Sequence, residues 1–136
     1  MTATYALPLA ALDRYQLVSD HEVIATKLAR DDGGYLSGHY PGSLIYPGMF
    51  MLESITQAVR TLVDSVQPRA NPRVRLTAVP LARFLAPVAA GDQLSIQCRC
   101  RYPAADLIEV EANCRVEDNA VAQLRCTFRL DPAEHG

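Results

Sequence analysis

Two residues that could carry out acid–base chemistry and one that could stabilise an oxyanion lie close together in residues 37–57, which read SGHYPGSLIYPGMFMLESITQ. His39 supplies an imidazole, whose unperturbed pKa of about 6.5 suits a general base near neutral pH. Gly48 stands at the start of a predicted helix, where free backbone N–H groups and the helix dipole stabilise an oxygen that gains negative charge. Glu53 adds a carboxyl group about 7.5 Å further along the helix axis.

Two Pro-Gly pairs, Pro41-Gly42 and Pro47-Gly48, predict turns on either side of a short apolar run in this segment. Gly48 has no Cβ, so a ligand can approach the first-turn N–H groups closely. Each residue also has an ordinary alternative role. A lone loop histidine is usually a surface or packing residue, a helical glutamate is usually solvated, and Pro-Gly usually marks only a helix start. The residues by themselves leave both interpretations open.

The segment that follows, residues 49–66, predicts one long amphipathic helix without glycine or proline. Its polar line consists of Glu53, Gln57, Arg60 and Asp64. The remaining circumference is apolar over more than half of the helix. Such a helix is stable only if other elements cover most of its sides.

The covering elements are predicted strands. Residues 94–102, 108–116 and 122–130 alternate strictly between apolar and polar side chains, which predicts an antiparallel meander with one solvated face. Further strands are predicted at 73–79 and 82–88, with Pro80 and Pro87 indicating edges or bends, and a weaker one at 21–29. We therefore expect one α+β domain over residues 1–136, in which an antiparallel sheet of five to six strands curls around one long helix.

Composition limits the classes of protein and partner. The 136 residues carry a net charge of −2, which disfavours a nucleic-acid-binding protein. Residues 69–101 nevertheless contain six arginines and only one acid, Asp92. The four cysteines fall on the apolar phase of predicted strands without metal-ligand spacing, so no metal site is expected. Neither a signal peptide nor a membrane span is apparent, so we expect a cytoplasmic protein.

The order and spacing in residues 38–57 resemble the motif of the hot-dog-fold β-hydroxyacyl-acyl-carrier-protein dehydratases. That family shows Gly-His-Phe-Pro-Gly, then Pro-Gly, then an acid and a glutamine. This chain has Gly38-His39-Tyr40-Pro41-Gly42, Pro47-Gly48, Glu53 and Gln57 at matching spacing. Weaker matches are Asp13-Arg14, Ala82-Arg83-Phe84 and Gly91-Asp92. Glu rather than Asp at position 53 resembles the branch that dehydrates without isomerising the double bond.

The resemblance implies a hot-dog fold and the dehydration of a 3-hydroxyacyl thioester to the trans-2-enoyl thioester, in fatty-acid or polyketide-type biosynthesis. His39 then removes the α-proton, the Gly48 N–H receives the thioester oxygen, and Glu53 protonates the departing hydroxyl directly or through water. Gln57 is expected to orient the Glu53 carboxyl group through an i,i+4 hydrogen bond. The substrate loop consists of Tyr40, Pro41, Gly42 and Pro47. No cofactor is implied, because the substrate is carried on the phosphopantetheine of acyl carrier protein.

The resemblance also implies partners. Family members dimerise through a continuous sheet, so we expect a homodimer, a heterodimer with a second hot-dog subunit, or a higher oligomer. Acyl carrier proteins are acidic, and basic side chains would speed their docking. The candidate contacts are Arg69, Arg73, Arg75 and Arg83; the alternative is that these arginines are only the solvated phase of strands. Two other functions stay open, namely a carrier-binding, partly catalytic subunit of a heterodimeric dehydratase and a hot-dog acyl thioesterase.

Overall fold

The computed structural model describes residues 12–29, 48–68, 71–89 and 91–132. These residues form one helix and six strands, which confirms the predicted α+β class and the start and end of the long helix to within one residue. In chain order the elements are β1 (Arg14–Ser19), β2 (Glu22–Leu28), α1 (Gly48–Val66), β3 (Arg73–Phe84), β4 (Gln93–Ala104), β5 (Leu107–Val116) and β6 (Asn119–Asp131).

In the described part of the chain the strands form one antiparallel sheet in the order β1-β2-β4-β5-β6-β3. The meander β4-β5-β6 confirms the three strands predicted from strict alternation, and β2 confirms the weaker one. A turn joins β5 to β6 where Glu117 has a φ of 56°. Strand β1 was not predicted. All six of its residues are exposed at the sheet edge, so burial imposes no clear alternation on its sequence.

The edge strand β3 corrects the sequence prediction. Two strands were expected at 73–79 and 82–88, but a single strand, Arg73–Phe84, runs straight through Pro80. Its pairing with β6 shifts register twice between Leu76 and Leu81, so Pro80 lies in an irregular stretch. A proline there removes no ladder hydrogen bond that a central strand would need, because β3 is the last strand of the sheet.

The sheet is curled around α1. The helix contacts β2 and β3, which are separated in the sheet by β4, β5 and β6. Four inter-strand steps of about 4.8 Å would place β2 and β3 roughly 19 Å apart in a flat sheet. A helix is only about 10–12 Å across with its side chains, so it reaches both strands only if the sheet bends around it. This confirms the predicted hot-dog arrangement.

The core lies between α1 and the inner face of the sheet, the face that is turned toward the helix. Ile55, Val59 and Leu62 of the helix are fully buried there, together with Phe128 of β6. The polar line of α1 faces outward, with Glu53, Arg60 and Asp64 exposed. Among the described residues, no helix has both the length and the apolar character needed to cross a bilayer.

All four cysteines are buried and unpaired on the inner face, as predicted: Cys98, Cys100, Cys114 and Cys126. Burial raises the pKa of Cys100 and Cys114 to about 12 and that of Cys126 to about 11. It raises the pKa of Cys98 as well. These thiols stay protonated near neutral pH and act as small apolar side chains of the core.

Candidate active site

The first turn of α1 is the electrophilic end of the site. The helix begins at Gly48, and its first turn carries no acidic residue that would neutralise the helix dipole. Its N–H groups have no acceptor within the helix itself. The geometry therefore fits the predicted oxyanion donor, since a carbonyl oxygen that gains charge would face both N–H groups and the positive end of the dipole.

The reason for a glycine at position 48 differs from the predicted one. A Cβ built on Gly48 would lie 2.8 Å from Cζ of Phe84, which is closer than real Cβ contacts allow. The space that a side chain would occupy is therefore filled by the ring of Phe84, at the end of β3. Sequence reasoning assigned that space to a ligand. The only sequence signal for Phe84 was its place in the Ala82-Arg83-Phe84 match.

The predicted acid Glu53 lies on the outward face of α1 and is exposed in the single chain. The apolar residues of its own helix therefore leave this side chain uncovered.

Gln57 lies one turn beyond Glu53 and is half-buried. The predicted hydrogen bond between these two side chains is absent among the described residues. Instead, Oε1 of Gln57 accepts a hydrogen bond from Nη1 of Arg60 at 3.3 Å. Arg60 is three residues further along the same face, and its charged guanidinium is a strong donor for an amide oxygen.

The predicted base and the substrate loop lie outside the described residues, so their position relative to Glu53 rests on the sequence alone. These residues are His39, Tyr40, Pro41, Gly42 and Pro47.

The point at which the chain leaves β2 toward this loop is firmly held. Oδ2 of Asp13 accepts the backbone N–H of Leu28, and Oδ1 lies 3.6 Å from Nζ of the buried Lys27. The next residue, Ala29, donates its N–H to the backbone oxygen of Asp92 at 2.8 Å. Asp13 and Asp92, both in the weaker family matches, thus anchor the start of the segment that leads to His39.

The arginine-rich stretch of residues 69–101 does not form a surface of unpaired positive charge. Five of its six arginines are described, and the register of β3 and β4 places those five on the outer face of the sheet, away from α1. Acids from outside residues 69–101 pair with three of them: Asp131 with Arg75, Glu22 with Arg99, and Glu109 with Arg101. Arg75 holds the pKa of Asp131 below its usual value, mainly through a hydrogen bond.

Of the four arginines named as carrier contacts, Arg83 is the one whose side chain makes no ion pair or hydrogen bond within the described residues. It is exposed and precedes Phe84 at the end of β3. Arg73 is also exposed, and Arg69 lies outside the described residues.

A groove of about 610 Å³ opens on the outer face, lined by alternating charges that include Arg99, Glu111 and Arg125. It lies on the opposite side of the sheet from α1, so it does not belong to the site at Gly48 and Glu53. Within the described ranges, no cluster of three metal-ligating side chains occurs.

Comparison with known proteins agrees with this fold. A family model described as ApeI-like, ApeI dehydratase, matches residues 15–125. A 3-hydroxyacyl-[acyl-carrier-protein] dehydratase FabZ of Alkalilimnicola ehrlichii is 30% identical over 128 residues, covering 90% of this chain and 83% of the relative. The FabZ of Polaromonas naphthalenivorans is 29% identical, covering 90% and 88%.

Among solved structures, the dehydratase heterocomplex ApeI:P from Xenorhabdus doucetiae superposes with a TM-score of 0.74. It covers 90% of this chain and 84% of its own, at 20% sequence identity, which supports the fold. The curled sheet and the central helix, together with the match to the family model, thus define a hot-dog protein of the dehydratase class. Within that class, the chain belongs to the ApeI-like dehydratase family and is related over nearly its whole length to the FabZ dehydratases.

Proposed function

We propose that this chain dehydrates a 3-hydroxyacyl thioester carried on acyl carrier protein and releases the trans-2-enoyl thioester. The observation that carries the proposal is the placement of Glu53 on the outward face of α1, one and a half turns beyond the first-turn N–H groups at Gly48. The names of the FabZ relatives state the same reaction for those proteins. The proposal is supported by an electrophilic helix end at Gly48 and by an exposed carboxyl group about 1.4 turns further along the same helix.

Each step needs one of these groups. His39 abstracts the weakly acidic α-proton, and the electron pair moves toward the thioester carbonyl, whose oxygen binds the Gly48 N–H. The C–O bond at the β-carbon then breaks, and hydroxide leaves as water with a proton from Glu53, either directly or through a bridging water. No cofactor takes part, because the thioester itself activates the α-proton and the phosphopantetheine arm only delivers the substrate.

Exposure of Glu53 argues that the working enzyme is a dimer. A carboxyl group serves as an acid near neutral pH only if its surroundings disfavour the charged form, and the single chain leaves it in solvent. A second copy of the chain packed against the outward face of α1 would bury Glu53 and cover this side of the site. We propose that the dimer is a homodimer. The activity test below distinguishes it from a heterodimer with a second hot-dog subunit.

Arg83 is the arginine best placed to attract the acidic carrier protein. It lies beside Phe84, and its side chain makes no ion pair within the described residues. Replacing Arg83 with Gln is expected to raise the KM for the carrier-linked substrate and to reduce its dependence on salt. The matched change Arg75→Gln removes a charge already paired with Asp131 and should leave KM nearly unchanged. Equal effects of the two changes would remove Arg83 from the proposal.

The reaction is tested by incubating the purified protein with a 3-hydroxyacyl carrier thioester and following the loss of one water by mass spectrometry. His39→Ala and Glu53→Gln should each lower kcat by on the order of 10²-fold or more. Asp118→Asn, which changes an exposed acid in the turn between β5 and β6, is the control and should keep full activity. An active His39→Ala variant would refute the mechanism.

Other products and requirements identify the competing functions. Release of the free acid and free carrier thiol would show a thioesterase. Turnover that begins only after a second hot-dog protein is added would show a heterodimeric dehydratase. The four reduced, buried thiols fit the reducing conditions of the cytoplasm, where we place this reaction. A series of acyl substrates of increasing length would then separate a fatty-acid role from a polyketide-type role.

A further inference from the structure

The ring of Phe84 points toward the start of α1, with its Cζ atom nearest to the helix. The distances from the position of a Gly48 Cβ are 2.8 Å to Cζ, 3.1 Å to Cε1 and 3.5 Å to Cε2. Because Cζ is the nearest atom, the para edge of the ring faces the position that a Cβ on Gly48 would occupy. The contact therefore joins the last residue of β3 to the first residue of α1.

The sheet holds this ring in place. The backbone of Phe84 pairs with Ala122 of β6, and the next residue, Leu85, donates its N–H to the Val121 oxygen at 2.8 Å. A residue paired in a strand and followed by such an anchor has little freedom to move away from the helix. Any shift in the ring would therefore be transmitted to the position of the Gly48 N–H.

Much of the ring is nevertheless uncovered. Phe84 is 54% exposed, although it lies on the inner face of the sheet, whose central residues are fully buried. An exposed aromatic surface beside a helix N-terminus offers an apolar wall to whatever binds there. It also keeps water from one side of the N–H groups, which strengthens their hydrogen bonds to a bound oxygen.

We infer that Phe84 is a positioning residue for dehydration: its ring tip fixes the Gly48 N–H, and its exposed surface packs on the carbon atoms next to the substrate's thioester. The inference rests on the proposed function. It assigns Gly48 and Phe84 one joint task, since the glycine is needed to admit the ring and the ring is needed to hold the glycine. The substrate class is the 3-hydroxyacyl thioester of the proposed function, whose α-carbon would pack on the ring.

The sharpest variant is Phe84→Tyr, which adds a hydroxyl at Cζ, the atom that already touches Gly48. The added oxygen has no room there, so the ring or the helix start moves. Misplacement of about 1 Å costs on the order of 10² in rate, and the loss should fall on kcat rather than on KM, because the donor acts on charge that develops in the transition state. Phe84→Leu, which is shorter, should lose less. Leu85→Ala is the matched control and should keep its activity.

A second pair of variants tests the contact without relying on turnover. Gly48→Ala should lower the melting temperature, because its methyl group collides with the ring. Combining Gly48→Ala with Phe84→Leu should recover part of the lost melting temperature, because the smaller Leu side chain leaves room for the added methyl group. Additive losses in the double variant would overturn the contact on which the inference depends.

The outcomes separate the inference from the function. A wild-type protein that removes no water refutes the proposed function, and the inference falls with it. An active wild type, with Phe84→Tyr equally active per folded molecule, overturns the inference and leaves the function standing. Loss of kcat in Phe84→Tyr with an unchanged melting temperature, together with rescue in the double variant, supports it.

Discussion

Replacing Asp13 or replacing Lys27, the two partners of one ion pair, should have very different effects on the free energy of unfolding. Lys27 lies on the inner face of β2 with its side chain 7% exposed, and Asp13, at 29%, is its partner at 3.6 Å. Asp13 also accepts the N–H of Leu28. Asp13→Ala removes both roles and leaves a buried ammonium group without this partner. Lys27→Met keeps an apolar side chain of similar length and leaves Asp13 bound to Leu28.

The expected loss of unfolding free energy differs between the two variants because only Asp13→Ala leaves a buried charge without this partner. Breaking a fully buried pair by removing one partner costs about 3–5 kcal/mol, and the partial exposure of Asp13 places its loss near the lower end, about 3 kcal/mol. For a domain of this size that is a fall in melting temperature of about 10 °C. Lys27→Met should change the free energy of unfolding by less than about 1 kcal/mol, since replacing a buried charge with an apolar group is often neutral. Asp13→Asn keeps an acceptor for Leu28 and should lie between the two.

The assay is urea unfolding followed by circular dichroism and by tyrosine fluorescence, since the chain has no tryptophan. All variants are compared at one protomer concentration, because association contributes to apparent stability. The double variant that combines Asp13→Ala with Lys27→Met should be more stable than Asp13→Ala alone. The reasoning is refuted if Lys27→Met is as damaging as Asp13→Ala, or if Asp13→Ala costs less than about 1 kcal/mol.

Three further predictions concern the thiols, one turn and the core. Burial raises the pKa of the Cys100, Cys114 and Cys126 thiols to about 11–12 from an ordinary 9. Their contribution to the free energy of unfolding is therefore present below pH 9 and is lost as pH rises toward 12. Urea unfolding at pH 8 and at pH 10.5 should show this decline, and the thiols of the folded protein should resist iodoacetamide at pH 8. Gly91→Ala should cost about 1–2 kcal/mol from backbone strain alone, because Gly91 has a φ of +95° and no atom within 4 Å of an added Cβ; an equally stable variant would contradict this. Ile55→Ala should cost about 2–5 kcal/mol by urea unfolding, whereas Val66→Ala, at 37% exposure, should cost less than about 1 kcal/mol.

Periodicity predicted the elements whose two faces differ strongly in environment. Strands β4, β5 and β6 bury one face against α1 and expose the other, so their alternation is visible in the sequence. Strand β1 is exposed on both faces and leaves no such trace. The end of β3 was also misjudged, because the chain leaves the sheet where the Val121 oxygen accepts two successive N–H groups, from Leu85 and Ala86. That arrangement depends on β6, which is distant in the sequence.

The site shows the same division between local and distant causes. The helix start at Gly48 and the outward face of Glu53 follow from residues nearby in the chain, and both were predicted. The partner of Gln57 was not, because Arg60 on the next turn donates to its amide oxygen and no bond to Glu53 forms among the described residues. Nor could the sequence show that Asp131, Glu22 and Glu109 neutralise arginines of the basic stretch, because only the folded sheet brings these charges together.

The contact between Gly48 and Phe84 constrains how relatives of this chain can diverge. Neither position can change freely, because a larger residue at 48 needs a smaller one at 84, and an aromatic residue at 84 needs glycine at 48. Across an alignment the two positions should therefore vary together, although no local sequence pattern links them. A single substitution that enlarges residue 48 therefore meets the ring of Phe84, and it is tolerated only when residue 84 becomes smaller as well.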